Sequence, residues 1–394
     1  MKKDRKEMKR IQQKTVLLLL AICCGLMVYG LSGCGLAGKN RPGVSSEADQ
    51  KDSEKPGSDK MDGEKLQVVA TIFPAYDFAR QIGGDGAEVR MLLSPGEELH
   101  SYEPSPKDII AIEQCDVFIY VGGESDTWVN DILDSIDTSQ TTIIAMMDIV
   151  EALEEETIEG MDTGNAWAGH NHEHDHAEGD YDNGAGHSGE DGHVHNENEA
   201  GHEHDENESS GEGHDHEHVE YDEHVWTSPG NAKLIVEKIA DEFCMRDQKN
   251  ETIYRENEAA YLAELETLTE EMLEIRENAV RTMIIVGDRF PFRYLAEFMD
   301  LEYYAAFPGC AEETEPSAKT VAFLIDKVKE EQVPVVFYGE FSSHLMAERI
   351  CEEAGGVPLL LHSCHNVTKD EFETGVTYLD QMWQNAENLR EALK

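Results

Sequence analysis

The chain has 394 residues, 40% of them apolar, which is more than one ordinary domain needs and enough to build two cores. With 32 Lys and Arg against 82 Asp and Glu, its formal charge is −50, which disfavours nucleic acid and anionic membrane surfaces as partners and favours cations. Half of that charge is local, because residues 151–223 hold 25 Asp and Glu and no Lys or Arg.

The N-terminus is basic from Met1 to Lys14, apolar from Val16 to Leu31, and then reaches Ser32-Gly33-Cys34. A run of this length ending in small residues reads as an export signal over residues 1–33 and not as a membrane span. Leu31-Ser32-Gly33-Cys34 resembles a bacterial lipobox, which implies that Cys34 is lipidated and anchors the protein on the outer face of the cytoplasmic membrane. The alternative is an uncleaved anchor helix. Residues 34–65, almost without apolar side chains, read as a flexible tether. The mature chain keeps Cys115, Cys244, Cys310, Cys351 and Cys364, an odd number that leaves at least one free thiol. Cys310 and Cys364 both follow predicted strands and are candidates for a disulfide, with five ordinary thiols as the alternative.

From Leu66 onward strands and helices alternate. Strands are expected at 66–73, 89–93, 117–121 and 141–147, with helices at 75–82 and from Ser105-Pro106. This rhythm implies a parallel sheet covered on both faces. It restarts with strands at 282–286, 303–307, 335–338 and 359–361 and a last helix from about Lys369. The fold class is therefore α/β, with an N-terminal lobe (66–227) and a C-terminal lobe (281–394), each a parallel sheet flanked by helices. Between them, Ser228-Pro229 starts a helical pattern that runs to about 280 with a weak spot at Asp247–Asn250. Tyr261, Leu265, Leu268, Met272 and Ile275 lay one apolar stripe along its later part, as a long connecting helix packed on both lobes requires.

The stretch at about 155–220 is of another kind. It holds twelve of the 17 histidines between His170 and His218, among Asp, Glu, Gly and Asn, and lacks the apolar residues of a core. It reads as a disordered insertion. Its pairs His170, His172, His174 and His176, then His193 and His195, His202 and His204, and His214, His216 and His218 offer dense imidazoles without fixed geometry. Such a tract suits weak binding of several metal ions, as a collector or sensor.

Four strand-end loops carry the remaining chemistry. They are Glu98-Leu99-His100-Ser101-Tyr102, Asp222-Glu223-His224-Val225-Trp226, Gly287-Asp288-Arg289 and Leu361-His362-Ser363-Cys364-His365. Any one of these histidines alone reads as an ordinary surface or core residue, and Asp288 alone as a helix cap. Together they supply about four nitrogen and oxygen donors, two from each half, which fits zinc better than the oxygen-seeking calcium or magnesium.

The lipobox, the four loops, the linking helix and the His-rich insertion together resemble the zinc-binding lipoproteins of bacterial ATP-binding-cassette (ABC) metal importers, the cluster A-I solute-binding proteins. His100 in His-Ser-Tyr-Glu-Pro-Ser-Pro and His224 in His-Val-Trp-Thr-Ser-Pro match that family's first two metal ligands. The resemblance implies two lobes joined by a rigid helix, with metal in the cleft between them. The family's third ligand is usually a His where this chain reads Gly287-Asp288-Arg289. Asp288 is the candidate there, and a shift of one residue would put Arg289 in the slot. The fourth position, an acidic residue in the family, lines up with His362, and His365 is the alternative for either slot. Two or three His and one carboxylate favour Zn2+ over Mn2+.

The function expected is capture of zinc outside the membrane by a monomer and delivery to the permease of an ABC importer, with no catalytic turnover. A surface metallohydrolase is a rival, for which Glu98 or Glu340 would be the general base; an adhesin or metal buffer is another.

Overall fold

A computed structural model of the protein describes residues 65–97, 102–162, 220–311 and 315–394. The export signal, the tether, Cys34, His100 and the histidines from His170 to His218 lie outside them. The first lobe runs β1 (Leu66–Ala70), α1 (Phe73–Gly83), β2 (Ala87–Met91), α2 (Pro106–Gln114), β3 (Val117–Tyr120), α3 (Thr127–Ser135) and β4 (Thr142–Ala145). Its strands pair in parallel in the order β2-β1-β3-β4. The second lobe repeats the plan with β5 (Met283–Phe290), α6 (Arg293–Met299), β6 (Glu302–Pro308), α7 (Ala318–Glu331), β7 (Val335–Tyr338), α8 (Leu345–Ala354) and β8 (Val357–Leu360). Its order is β6-β5-β7-β8, again all parallel.

Strand alternation decides how the cores divide. Val68, Ala70, Val117 and Ile119 point to one face of the first sheet, and Val69 and Phe118 to the other. In the second sheet Ile284, Val286, Val335 and Phe337 share one face, and Ile285 and Val336 the opposite one. The inner faces of both sheets join a single core that also takes in Phe78, Trp226, Tyr261 and Tyr378, whereas each outer face keeps a smaller core of its own.

The segment expected as one linking helix folds as two, α4 (Pro229–Arg246) and α5 (Glu251–Glu277), packed on each other. The break falls on the weak spot. Asp247 Oδ2 accepts from Asn250 Nδ2 at 2.7 Å and from the Tyr254 hydroxyl at 3.0 Å, so short polar side chains satisfy the turn that ends α4. At 27 residues α5 is about 40 Å long. It buries the stripe Tyr261, Leu265, Leu268, Met272 and Ile275 against α1 and the C-terminal helix. That last helix is also two: α9 (Lys369–Thr374) stops at Gly375, whose φ of 79° needs a glycine, and α10 (Tyr378–Ala392) restarts from a Thr377–Asp380 capping box.

Residues 153–162 do not stay with the first lobe. The Asp162 amide donates to the Ala306 carbonyl at 2.8 Å, and Asp162 Oδ2 accepts from the Ser317 amide at 2.7 Å. Glu154 and Tyr221 form an antiparallel bridge, three residues before His224.

Candidate metal site at the strand ends of the second lobe

The C-terminal ends of β5, β7 and β8, with His224 from the loop before α4, line a cavity of about 340 Å³. Its wall carries Asp288, Arg289, Glu315, Glu340, Ser363 and His365 beside Phe341, Ser342 and Ser343. Carboxyl ends of parallel strands are where open α/β sheets hold ligands.

Asp288 and Arg289 reach this wall through a bulge. Val286 pairs with Ala305 and Arg289 with Phe307, so β5 carries one residue more than its partner between them. Gly287 permits this, since a Cβ there would lie 3.2 Å from the α8 backbone at Ala347. Asp288 Oδ2 accepts from the Gly339 amide at 3.3 Å.

After β8 the chain is turned by Cys364, which has φ of 64°, and His365 comes to the wall. Its Nδ1 is 2.6 Å from Ser363 Oγ and 3.3 Å from Glu340 Oε1. Its Nε2 is buried with no hydrogen-bond partner among the described residues. The Glu340 carboxylate also accepts from the Ser363 amide at 2.8 Å and hydroxyl at 2.6 Å. Burial by itself would raise the Glu340 pKa, but His365, His362 and the Ser363 hydroxyl outweigh it and bring it down to about 2.

His224 caps the short helical turn Val225–Thr227 and is almost fully buried. Asp222 Oδ1 accepts from its backbone amide at 2.8 Å and faces its Nδ1 at 3.1 Å. That pairing puts the ring proton on Nδ1 and the lone pair on Nε2, the second-shell arrangement of a metal-binding imidazole. Trp226 stands edge-on, 5.5 Å away between ring centres. Burial would depress the His224 pKa, but Asp222, Glu223 and Glu155 together raise it above the ordinary 6.5.

Behind His224 a second carboxylate pair is buried. Glu223 Oε1 accepts from the Ser125 amide at 2.7 Å, and its chain passes so near Gly123 that a Cβ there would lie 2.3 Å from Glu223 Cγ. Asp126 accepts from the Val121 amide at 2.7 Å, and burial, with Glu223 adding to it, raises its pKa to about 6. A raised carboxylate pKa means the folded state binds this proton more tightly, so stability falls as pH rises from about 4 to about 6 and then levels off. Asp126→Asn is expected to stabilise the protein at pH 7.5 by up to about 3 kcal/mol and by much less at pH 4, read as the thermal midpoint at each pH. An equal gain at both would assign the effect to something other than charge.

The expected ligands are thus placed unequally. His224, Asp288 and His365 share the cavity wall. His362 is not among the lining residues; its amide donates to Asn385 Oδ1 at 2.7 Å and its carbonyl accepts from Asn385 Nδ2 at 2.8 Å, and its charge acts on the nearby Glu340. His100 lies outside the described residues. The turn before it is fixed by Asn366, whose Nδ2 donates to the carbonyls of Ser94 and Glu97, both at 2.8 Å. The disulfide considered between Cys310 and Cys364 is not formed, as all five described cysteines are free thiols. Cys310 sits among Glu155, Asp222 and Glu223, whereas Cys364 is fully enclosed near Glu340 and Asp77.

From sequence Glu340 stands out only as a base for a hydrolase, and nothing there marks Glu315 or the Ser363 hydroxyl. The signal for the partner role of Asp222 is the motif Asp222-Glu223-His224, since an acid two residues before a His is a usual way to orient its ring. Among the described residues no group of three or more His, Cys, Asp or Glu is gathered closely enough to hold a metal, so the donors surround the cavity without converging. Among the same residues no helix is long and apolar enough to cross a membrane.

Two parallel sheets of one topology, fused through helices around a cavity with imidazole and carboxylate groups at strand ends, define a two-lobed solute-binding protein. The family model of the periplasmic zinc-uptake complex component A, ZnuA, matches residues 68–392, and the chain belongs to that family. It is 28% identical over 328 residues to the zinc-binding lipoprotein AdcA of Streptococcus pneumoniae, a match covering 83% of this chain and 56% of that protein. The chain therefore spans little more than half the length of this relative. It is also 28% identical over 344 residues to the high-affinity zinc uptake system protein ZnuA of Bacillus subtilis, covering 86% of this chain and 92% of that one. The solved structure of the Zn(II)-bound ZnuA-like domain of Streptococcus pneumoniae AdcA superposes with a TM-score of 0.60 at 25% identity, over 84% of this chain and 99% of that domain.

Proposed function

We propose that the protein captures zinc outside the cytoplasmic membrane and delivers it to an ABC-type importer. His224 and His365 are two donors in the cavity, His100 is a third, and Asp288 or Glu340 supplies the carboxylate. The observation that carries this reading is the pair of buried imidazoles on one wall, each with Nδ1 committed to a neighbour, Asp222 for His224 and Ser363 with Glu340 for His365. Imidazoles so oriented are built to offer Nε2 to a borderline cation. The names of the relatives, which give zinc as cargo, support the same reading. Two or three imidazoles favour zinc over manganese.

Cys34 anchors the chain by lipid, the protein works as a monomer, and its remaining partner is the importer's permease. The histidines from His170 to His218 gather zinc ahead of its capture in the cavity. The hydrolase reading is less well supported, because Glu340, its candidate base, is already held by Ser363 and His365.

Calorimetric titration with zinc and with manganese, on the chain with and without residues 165–220, tests this. One tight zinc site should survive the deletion while several weak ones disappear. Loss of all tight binding would move the working site into the insertion.

A further inference from the structure

Arg289 is a side chain on the cavity wall that cannot ligate a metal. A guanidinium stays protonated at any working pH and carries donors only. It sits beside Asp288 on the bulge of β5, with Nη1 3.4 Å from the Ala311 carbonyl, and is the one Lys or Arg among the described wall residues. It shares that wall with the carboxylates of Asp288, Glu315 and Glu340. Among the described wall residues, three carboxylates and one guanidinium sum to two negative charges, the complement of one divalent ion.

We propose that Arg289 sets the charge of the cavity: its fixed positive charge offsets one carboxylate and weakens the hold on zinc, favouring release. The role rests on zinc capture by this cavity. Both halves of it follow from Coulomb's law. In a partly closed cleft, a like charge on the wall repels the bound cation, and that repulsion shortens its residence more than it slows arrival. Without the guanidinium, the same wall would hold zinc more tightly. The bulge at Asp288 and Arg289 places attraction and repulsion on successive residues, which is how one strand end supplies both.

The test measures zinc affinity by competition with a chelator, and zinc release by stopped flow, on the whole chain carrying Arg289→Met or Arg289→Lys. Methionine keeps much of the length without the charge, and Arg289→Met is expected to bind zinc on the order of tenfold tighter and to release it correspondingly more slowly. Arg289→Lys should stay within about twofold of the parent, because it retains the charge. Should Arg289→Met melt well below the parent, Arg289→Gln takes its place. Equal or weaker zinc affinity in a neutral variant of unchanged melting temperature would overturn the role. A parent chain with no tight zinc site, or one whose tight site survives His224→Ala, would instead overturn zinc capture by the cavity.

Discussion

His224→Ala is expected to abolish tight zinc binding while the protein stays folded. Sharing the roughly 10–16 kcal/mol typical of a four-donor zinc site evenly gives about 3 kcal/mol per donor, a loss on the order of a hundredfold or more. Calorimetry on the chain without residues 165–220 would read it free of the weak sites. A strain relying on this chain for zinc uptake should then fail to grow when zinc is scarce, an outcome that an adhesin or passive buffer would not produce.

The same residue sets a pH dependence. Asp222, Glu223 and Glu155 outweigh the effect of burial and raise the His224 pKa above 6.5, and protonated imidazole cannot ligate, so protons compete with zinc from a higher pH than at an ordinary histidine. Affinity should be nearly level well above the raised pKa and fall by up to about tenfold per pH unit once below it, for each proton displaced. Asp222→Asn, which loses the charge that orients Nδ1, should cost about 10–100-fold in affinity and move the onset of that fall to lower pH. Affinity unchanged between pH 8 and pH 6 would mean that imidazoles are not the ligands.

Trp226→Ala is expected to produce the largest loss of stability. The indole is completely buried in the core shared by both sheets, Nε1 donates to the Ser363 carbonyl at 2.7 Å, and the Trp226 carbonyl accepts from the Tyr378 hydroxyl at 2.6 Å. Truncation leaves a cavity and an unmet carbonyl on the residue that supports His365, at a cost of about 3–5 kcal/mol. Trp226→Phe fills most of the space but loses the bond to Ser363, so it should melt closer to the parent yet bind zinc less tightly. A melting temperature unchanged in Trp226→Ala would show that the two lobes are not joined through this side chain.

Much of the architecture could be read from local pattern. Val335–Tyr338 was placed to the residue, and β1, β3, β5 and β6 to within a few, because β-branched and aromatic runs bounded by turn residues carry their own signal. The division of the link into two helices was visible only as a weak spot at Asp247–Asn250, since a chain with good helix formers on both sides gives no measure of whether four polar residues bend it or end it. His224 was legible for a similar local reason: acid, imidazole and aromatic stand within Asp222–Trp226.

The choice between His362 and His365 was of another kind. Both lie in one loop of similar composition, the backbone reverses between them at Cys364, and of the two only His365 lines the cavity. Glu340 became part of the site only because β7 and β8 pair and bring Ser363 and His365 to its carboxylate. The cysteines followed the same rule, as burial among different neighbours kept Cys310 and Cys364 apart. The sequence by itself determined the fold class, the two-part organisation and the kinds of side chain at the strand ends, because hydrophobic period and side-chain chemistry are local properties of the chain. Only the tertiary structure decided which donors face one cavity and that a permanent cation, Arg289, faces it with them, because such convergence depends on strand order and on a one-residue bulge.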